Sequence, residues 1–145
     1  MSSHLLNVGL SIFLFVIAGC ASTSSRAPDS AATFTHLVTG QETARGTFRG
    51  ESDHVTTGHA SVFRSRGQWV ISLASDFSLD GAPDPKVGLG NNGYRPESQL
   101  GELKQLNGAQ VYVLPAGLDI GDYNQVWIWC EQFNVPLGVA ELTLL

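Results

Sequence analysis

Segment 69–77 alternates residue by residue. Trp69, Ile71, Leu73, Ser75 and Phe77 fall on one face of an extended strand, and Val70, Ser72, Ala74 and Asp76 fall on the other. That period of two belongs to a β-strand, and here both faces carry apolar residues. His59-Ala60-Ser61-Val62-Phe63 precedes it across Arg66-Gly67, so the two segments read as a hairpin. Segment 110–114 ends at Pro115, segment 123–130 follows a loop rich in Gly and Asp, and segment 138–144 makes a last strand. Segments 44–49 and 86–89 add shorter candidates. The chain's 16 glycines and 6 prolines punctuate these runs at the spacing of a sandwich or barrel. Only segment 97–106 has the composition for a helical turn or two. The expectation is all-β, a single antiparallel β-sandwich or β-barrel domain.

Ahead of this lies a different kind of sequence. Residues 1–20 contain no Asp, Glu, Lys or Arg, and 8–17 are apolar except for Gly9 and Ser11. Such a run is shorter than the roughly 20 residues a bilayer span needs, and has the length of a signal-peptide apolar region. It ends Ile17-Ala18-Gly19-Cys20, which resembles the bacterial lipobox, where the Cys thiol is acylated. Positive charge before the run is limited to His4 and the α-amino group. Ala21 follows Cys20, and the absence of Asp there points to an outer-membrane lipoprotein facing the periplasm. Residues 21–32 are small and polar, the composition of a flexible tether. The expected layout is a cleaved signal peptide at 1–19, lipidated Cys20 and tether at 20–42, and a β domain at 43–145. The expected localisation is the cell envelope of an exported protein, with the membrane engaged through the N-terminal lipid. All 13 acidic and 8 basic residues follow the leader, and no Lys/Arg stripe occurs, which excludes nucleic acid as a partner.

Acylation of Cys20 would leave Cys130 as the one thiol of an exported chain, where cysteines usually pair. Cys130 shares a strand face with Val126 and Ile128, while Trp127 and Trp129 point the other way. Two readings follow: a small hydrophobe filling the core, or a redox thiol, which needs access and a nearby cation or metal. His54 and His59 are the candidate neighbours. Their offset of five puts them on opposite faces of one regular strand unless His54 sits in the preceding loop. His36 falls near the tether and reads as solvated.

No Cys-x-x-Cys-His occurs, so covalent haem attachment is excluded, and Met1 is the only Met, which removes an axial Met for haem or copper. No cofactor is predicted, and a haem or metal held by Cys130 and a His is left open. Asp80 and Asp84 bracket Gly81-Ala82-Pro83 and read as turn caps rather than a calcium site, which needs about six oxygen ligands. No hydrolase or transferase motif appears.

A longer series then emerges. Gly46-x-Phe48, His54-x-x-x-Gly58-x-Ala60, Asp76-Phe77 and Gly81-Ala82-Pro83-Asp84-Pro85-x-Val87-x-Leu89 occur in order. Leu103-x-x-Leu106-Asn107-Gly108-x-Gln110-x-Tyr112-x-Leu114-Pro115 continues it. It closes with Tyr123-x-x-Val126-x-Ile128-Trp129-Cys130-x-x-Phe133-x-Val135-x-x-Gly138-x-Ala140-x-Leu142. This resembles the DM-thirteen domain, also called the electron-transfer DM domain, over residues 46–142. Its loop usually reads Gly-Pro-Asp-Leu; here Ala82 is inserted and Pro85 replaces the apolar residue. The resemblance implies a redox role centred on Cys130, as a bare thiol or as a prosthetic-group ligand, with Gly81, Pro83 and Asp84 as the family-motif loop. It implies an unidentified redox or protein partner. The alternative is a non-enzymatic β-sandwich binding or structural module with Cys130 in its core.

Overall fold

The computed structural model describes residues 38–145, so the leader, Cys20, His36 and most of the tether lie outside the described residues. The strands are β1 (Gln41–Gly50), β2 (Thr56–Thr57), β3 (His59–Ser65), β4 (Gln68–Leu73), β5 (Ser78–Leu79) and β6 (Pro85–Gly90). They continue as β7 (Gly101–Glu102), β8 (Gln110–Val113), β9 (Gln125–Cys130), β10 (Val135–Glu141) and β11 (Thr143–Leu144). One antiparallel sheet runs in the order β7-β6-β9-β10-β1-β3-β4-β8, with β11 on β1, and curls into a nearly closed barrel. The domain is all-β, as its alternation predicts. No helix among the described residues is long and apolar enough to cross a membrane.

The β3–β4 hairpin forms where expected, because Arg66 and Gly67 both take positive φ (50° and 82°), the backbone a two-residue hairpin turn requires. β4 stops at Leu73, short of Phe77. Ala74 donates to His59 O and Phe77 to Ala74 O, and this turn carries Phe77 into the core. There its ring meets Phe48 edge to face, with centroids 5.3 Å apart. In place of helical turns, segment 97–106 contributes the end of a single 3₁₀ turn, Pro96–Ser98, and then the short β7.

The core follows the alternation of each strand: Ala44 and Phe48 from β1, Val62 from β3, Ile71 and Leu73 from β4, Val87 and Leu89 from β6. β10 breaks the rule. A bulge between Pro136 and Gly138 adds a residue, so Leu137 and Ala140, three apart, both face inward.

The two-stranded β2–β5 ribbon lies against the end of β1 and the start of β10. Thr56 donates its hydroxyl to Leu137 O at 2.7 Å, and Leu79 enters the core. The free edges of the sheet, β7 and β8, are joined through side chains. The Tyr112 hydroxyl accepts from the Lys104 N–H at 3.1 Å and lies within donating distance of Glu102 O (3.1 Å) and Gln110 Oε1 (2.7 Å). Gln110 Oε1 also accepts from Lys104 N at 3.0 Å.

Candidate functional site

β9 is flanked on one side by β6 and on the other by β10, and Cys130 is its last residue. Val126, Ile128 and Cys130 point into the core as their period requires, and Cys130 is only 1 % exposed. It is a free cysteine, set opposite Pro85 on β6 and Val135 on β10. The next residue, Glu131, donates its N–H to Asp84 O at 3.0 Å. The Ile-Trp-Cys block and the loop bearing Gly81, Pro83 and Asp84, far apart in the chain, therefore meet at one end of the barrel.

The outer face of the same strand carries an aromatic group. Trp129 stacks on Tyr94 with centroids 4.6 Å apart and an interplanar angle of 10°, and Trp127 meets Trp129 edge to face at 6.3 Å. Gly88, opposite Trp127, makes room for this: a Cβ there would stand 2.6 Å from the Tyr94 ring. Tyr94 donates its hydroxyl to Gln99 Oε1 at 3.0 Å, and burial raises its pKa. Beside the rings, Lys86 lies opposite Trp129 and is almost buried. Its Nζ reaches Asp84 at 2.8 Å, Glu131 at 3.4 Å and Glu102 at 3.5 Å. Hydrogen bonding to Asp84 first, then to Glu131, holds the lysine well above its ordinary range. Sequence reasoning missed this cation and its three carboxylates. The signal was there: a Lys inside a strand, with Asp84 two residues before it on the same face.

The two histidines are placed differently. His54 sits in the loop after β1, its Nδ1 2.9 Å from Asp80, whose other oxygen accepts the Val55 N–H at 3.0 Å. His59 begins β3; its N–H and its Nδ1 both contact the Asp76 carboxylate. Asp80 thus bridges 25 residues of chain rather than capping its own turn. Both imidazoles are partly exposed and engaged by an aspartate, and no hydrogen bond joins either to Cys130. A group ligated by Cys130 and either His does not fit this arrangement, because the sulfur faces the packed core and the rings face outward. No group of three or more His, Cys, Asp or Glu among the described residues is arranged to hold a metal ion. Asp84 is committed to Lys86.

No curated protein and no solved structure matches this chain. Residues 47–142 match the model of the family described as Electron transfer DM13, a span that takes in every strand from β2 to β10 and the Cys130 end of the barrel. The chain therefore belongs to the Electron transfer DM13 family.

Proposed function

We propose that this chain is an electron-transfer domain, carried on the cell envelope by lipid at Cys20, with Cys130 as its redox residue and an envelope redox protein as its partner. The family match over residues 47–142 carries the reading. A free cysteine survives in an oxidising compartment where it is protected or used, and Cys130 is buried, so its survival fits both this role and a structural one. Its burial limits how it is used. At 1 % exposure the sulfur is out of reach of a protein oxidant, so electrons must pass through the intervening protein. Trp129, the adjoining residue, stacks on Tyr94 at the half-buried outer face and supplies that passage. The exchange balances as one electron to a one-electron acceptor and the thiol proton to water admitted when the barrel end opens, leaving a sulfur radical that a one-electron donor and a proton reverse.

Oxidation by a high-potential one-electron metal complex, followed by rapid freezing and electron paramagnetic resonance, tests this. A sulfur-centred radical is expected in the wild type, and a radical confined to Trp129 or Tyr94 in Cys130→Ala. Identical spectra from the two would remove Cys130 from the role. The alternative, a structural or binding module, rests on the same burial among core side chains. It predicts a thiol still intact, counted after unfolding, however much oxidant the native protein has met.

A further inference from the structure

The end of the barrel away from Cys130 is hollow. A cavity of about 540 Å³ opens there, walled by Ala44, Val62, Leu142 and Ile120 and by the rings of Trp69 and Tyr123. Asn124, just ahead of β9, also lines it, so β9 separates cavity from thiol by about 20 Å at some 3.3 Å per residue. β-barrel mouths are common small-molecule sites, and this volume lies within their usual range of roughly 300–1,000 Å³.

The few polar groups in the wall define the ligand. Thr43 spends its hydroxyl on Val62 O at 3.3 Å. The one charged lining residue, Asp119, accepts the Gly121 N–H on Oδ1 at 2.9 Å, where it caps the 3₁₀ turn Ile120–Asp122 that borders the mouth. No cation lines this cavity: Arg64 lies 4.7 Å from the Trp69 ring centroid and borders an adjoining, more polar hollow of about 420 Å³ that shares Trp69 and Asp119 with it. A carboxylate or phosphate there would meet the Asp119 carboxylate with no cation in the same wall, and only neutral side chains, such as those of Tyr123 and Asn124, to donate to it. A hydroxyl or an amide N–H could donate to the second Asp119 oxygen.

We infer that this mouth is a binding site for an uncharged, chain-like or flat apolar molecule with a hydrogen-bond-donating head, held with its apolar body among Val62, Leu142 and Trp69 and its head at Asp119. The site is independent of the redox reading and would stand if Cys130 proved inert. Leu144, 82 % exposed at the rim, leaves the ligand a route in beside the final strand.

The probe is a long-chain alcohol bearing a photoactivatable diazirine, applied to the protein in membranes of the cells that produce it, with the labelled residues mapped by mass spectrometry. Label is expected on Tyr123, Leu142 or Leu144, saturable, and displaced by excess unlabelled alcohol. The fatty acid of equal length should displace it less well, and Asp119→Asn should narrow that difference. Ile120→Arg, which puts a charge into the wall, should cut mouth labelling about tenfold or more. Continued protection of Cys130 from alkylation in that variant would show the fold intact; if it does not fold, Leu142→Asn replaces it. Unsaturable label spread equally over exposed Phe133 and Val55 would overturn the proposal. So would a fatty acid that competes better than the alcohol. Mouth labelling that appears only after Phe34→Ser and Leu37→Ser would overturn it too, because the chain's own N-terminal segment would then be the occupant.

Discussion

Cys130 fills core volume whatever else its sulfur does, so Cys130→Ala is expected to lower stability by about 1 kcal/mol in denaturant unfolding, the scale of a small cavity. The native thiol should react with an alkylating reagent only as fast as the barrel end opens, and at the rate of a free thiol once unfolded. The two aspartates at the ends of the β2–β5 ribbon give a second prediction. Asp76 is held below the ordinary carboxylate range by its hydrogen bond with His59, and Asp80 by the Val55 N–H and then His54. A carboxylate depressed in the fold stabilises it fully above its unfolded value, about 3.9, and loses that contribution as pH falls through the lower native value. Protection of the Thr56 and Leu79 amides, referred to the exchange rate of an unstructured amide at the same pH, should therefore fall below about pH 4, and Asp76→Asn with Asp80→Asn should flatten the dependence. An unchanged acid profile in the double variant would show that these contacts add nothing to ribbon stability.

The seam between β7 and β8 is where the elements depend most on single side chains. Burial pushes the Tyr112 hydroxyl up to about 12. A group whose native pKa is raised gives its full stabilisation below the unfolded value, about 10, and loses it as pH rises through the native one. The wild type is thus expected to weaken between about pH 10 and 12, and Tyr112→Phe to weaken less over that range, the remainder belonging to Tyr94, whose pKa burial also raises. At neutral pH the variant should be less stable by about 1–3 kcal/mol, since the Lys104 N–H loses one of its two acceptors. Thermal melts across the pH range check both. None of this was legible in the sequence, where Tyr112 reads as one more residue of an alternating strand. Local chemistry was legible: the Arg66-Gly67 turn and the shared face of Val126, Ile128 and Cys130 follow from backbone sterics and a period of two, while only the fold shows that this face is the inner one. Features set by distant partners were not. The bulge at Pro136, the bond from Val55 to Asp80 and the approach of Glu102 and Glu131 to Lys86 depend on register between strands, which no local pattern records.

At the scale of the whole molecule, lipid at Cys20 would place the domain beside a membrane while leaving its fold untouched. Cys20→Ser is expected to move the protein from the membrane to the soluble fraction, or to leave it unprocessed, with the melting temperature of the domain unchanged. Membrane association equal to the wild type would remove the lipid anchor. The candidate site was legible at this scale as two motif blocks, and only the fold shows that both belong to one end of a barrel. The pairing of β1 has a kinetic consequence. Its residues Ala44 and Arg45 are matched to Leu144 and Thr143, and Phe48 to Ala140, so the first strand is partnered by the last. Closing so long a loop comes before any reward in contacts, and topologies of this kind fold in milliseconds to seconds rather than microseconds. A chain emerging N-terminus first cannot complete its barrel until β10 and β11 arrive, so the proposed export would carry a chain that is still threadable and that commits to its shape only after delivery.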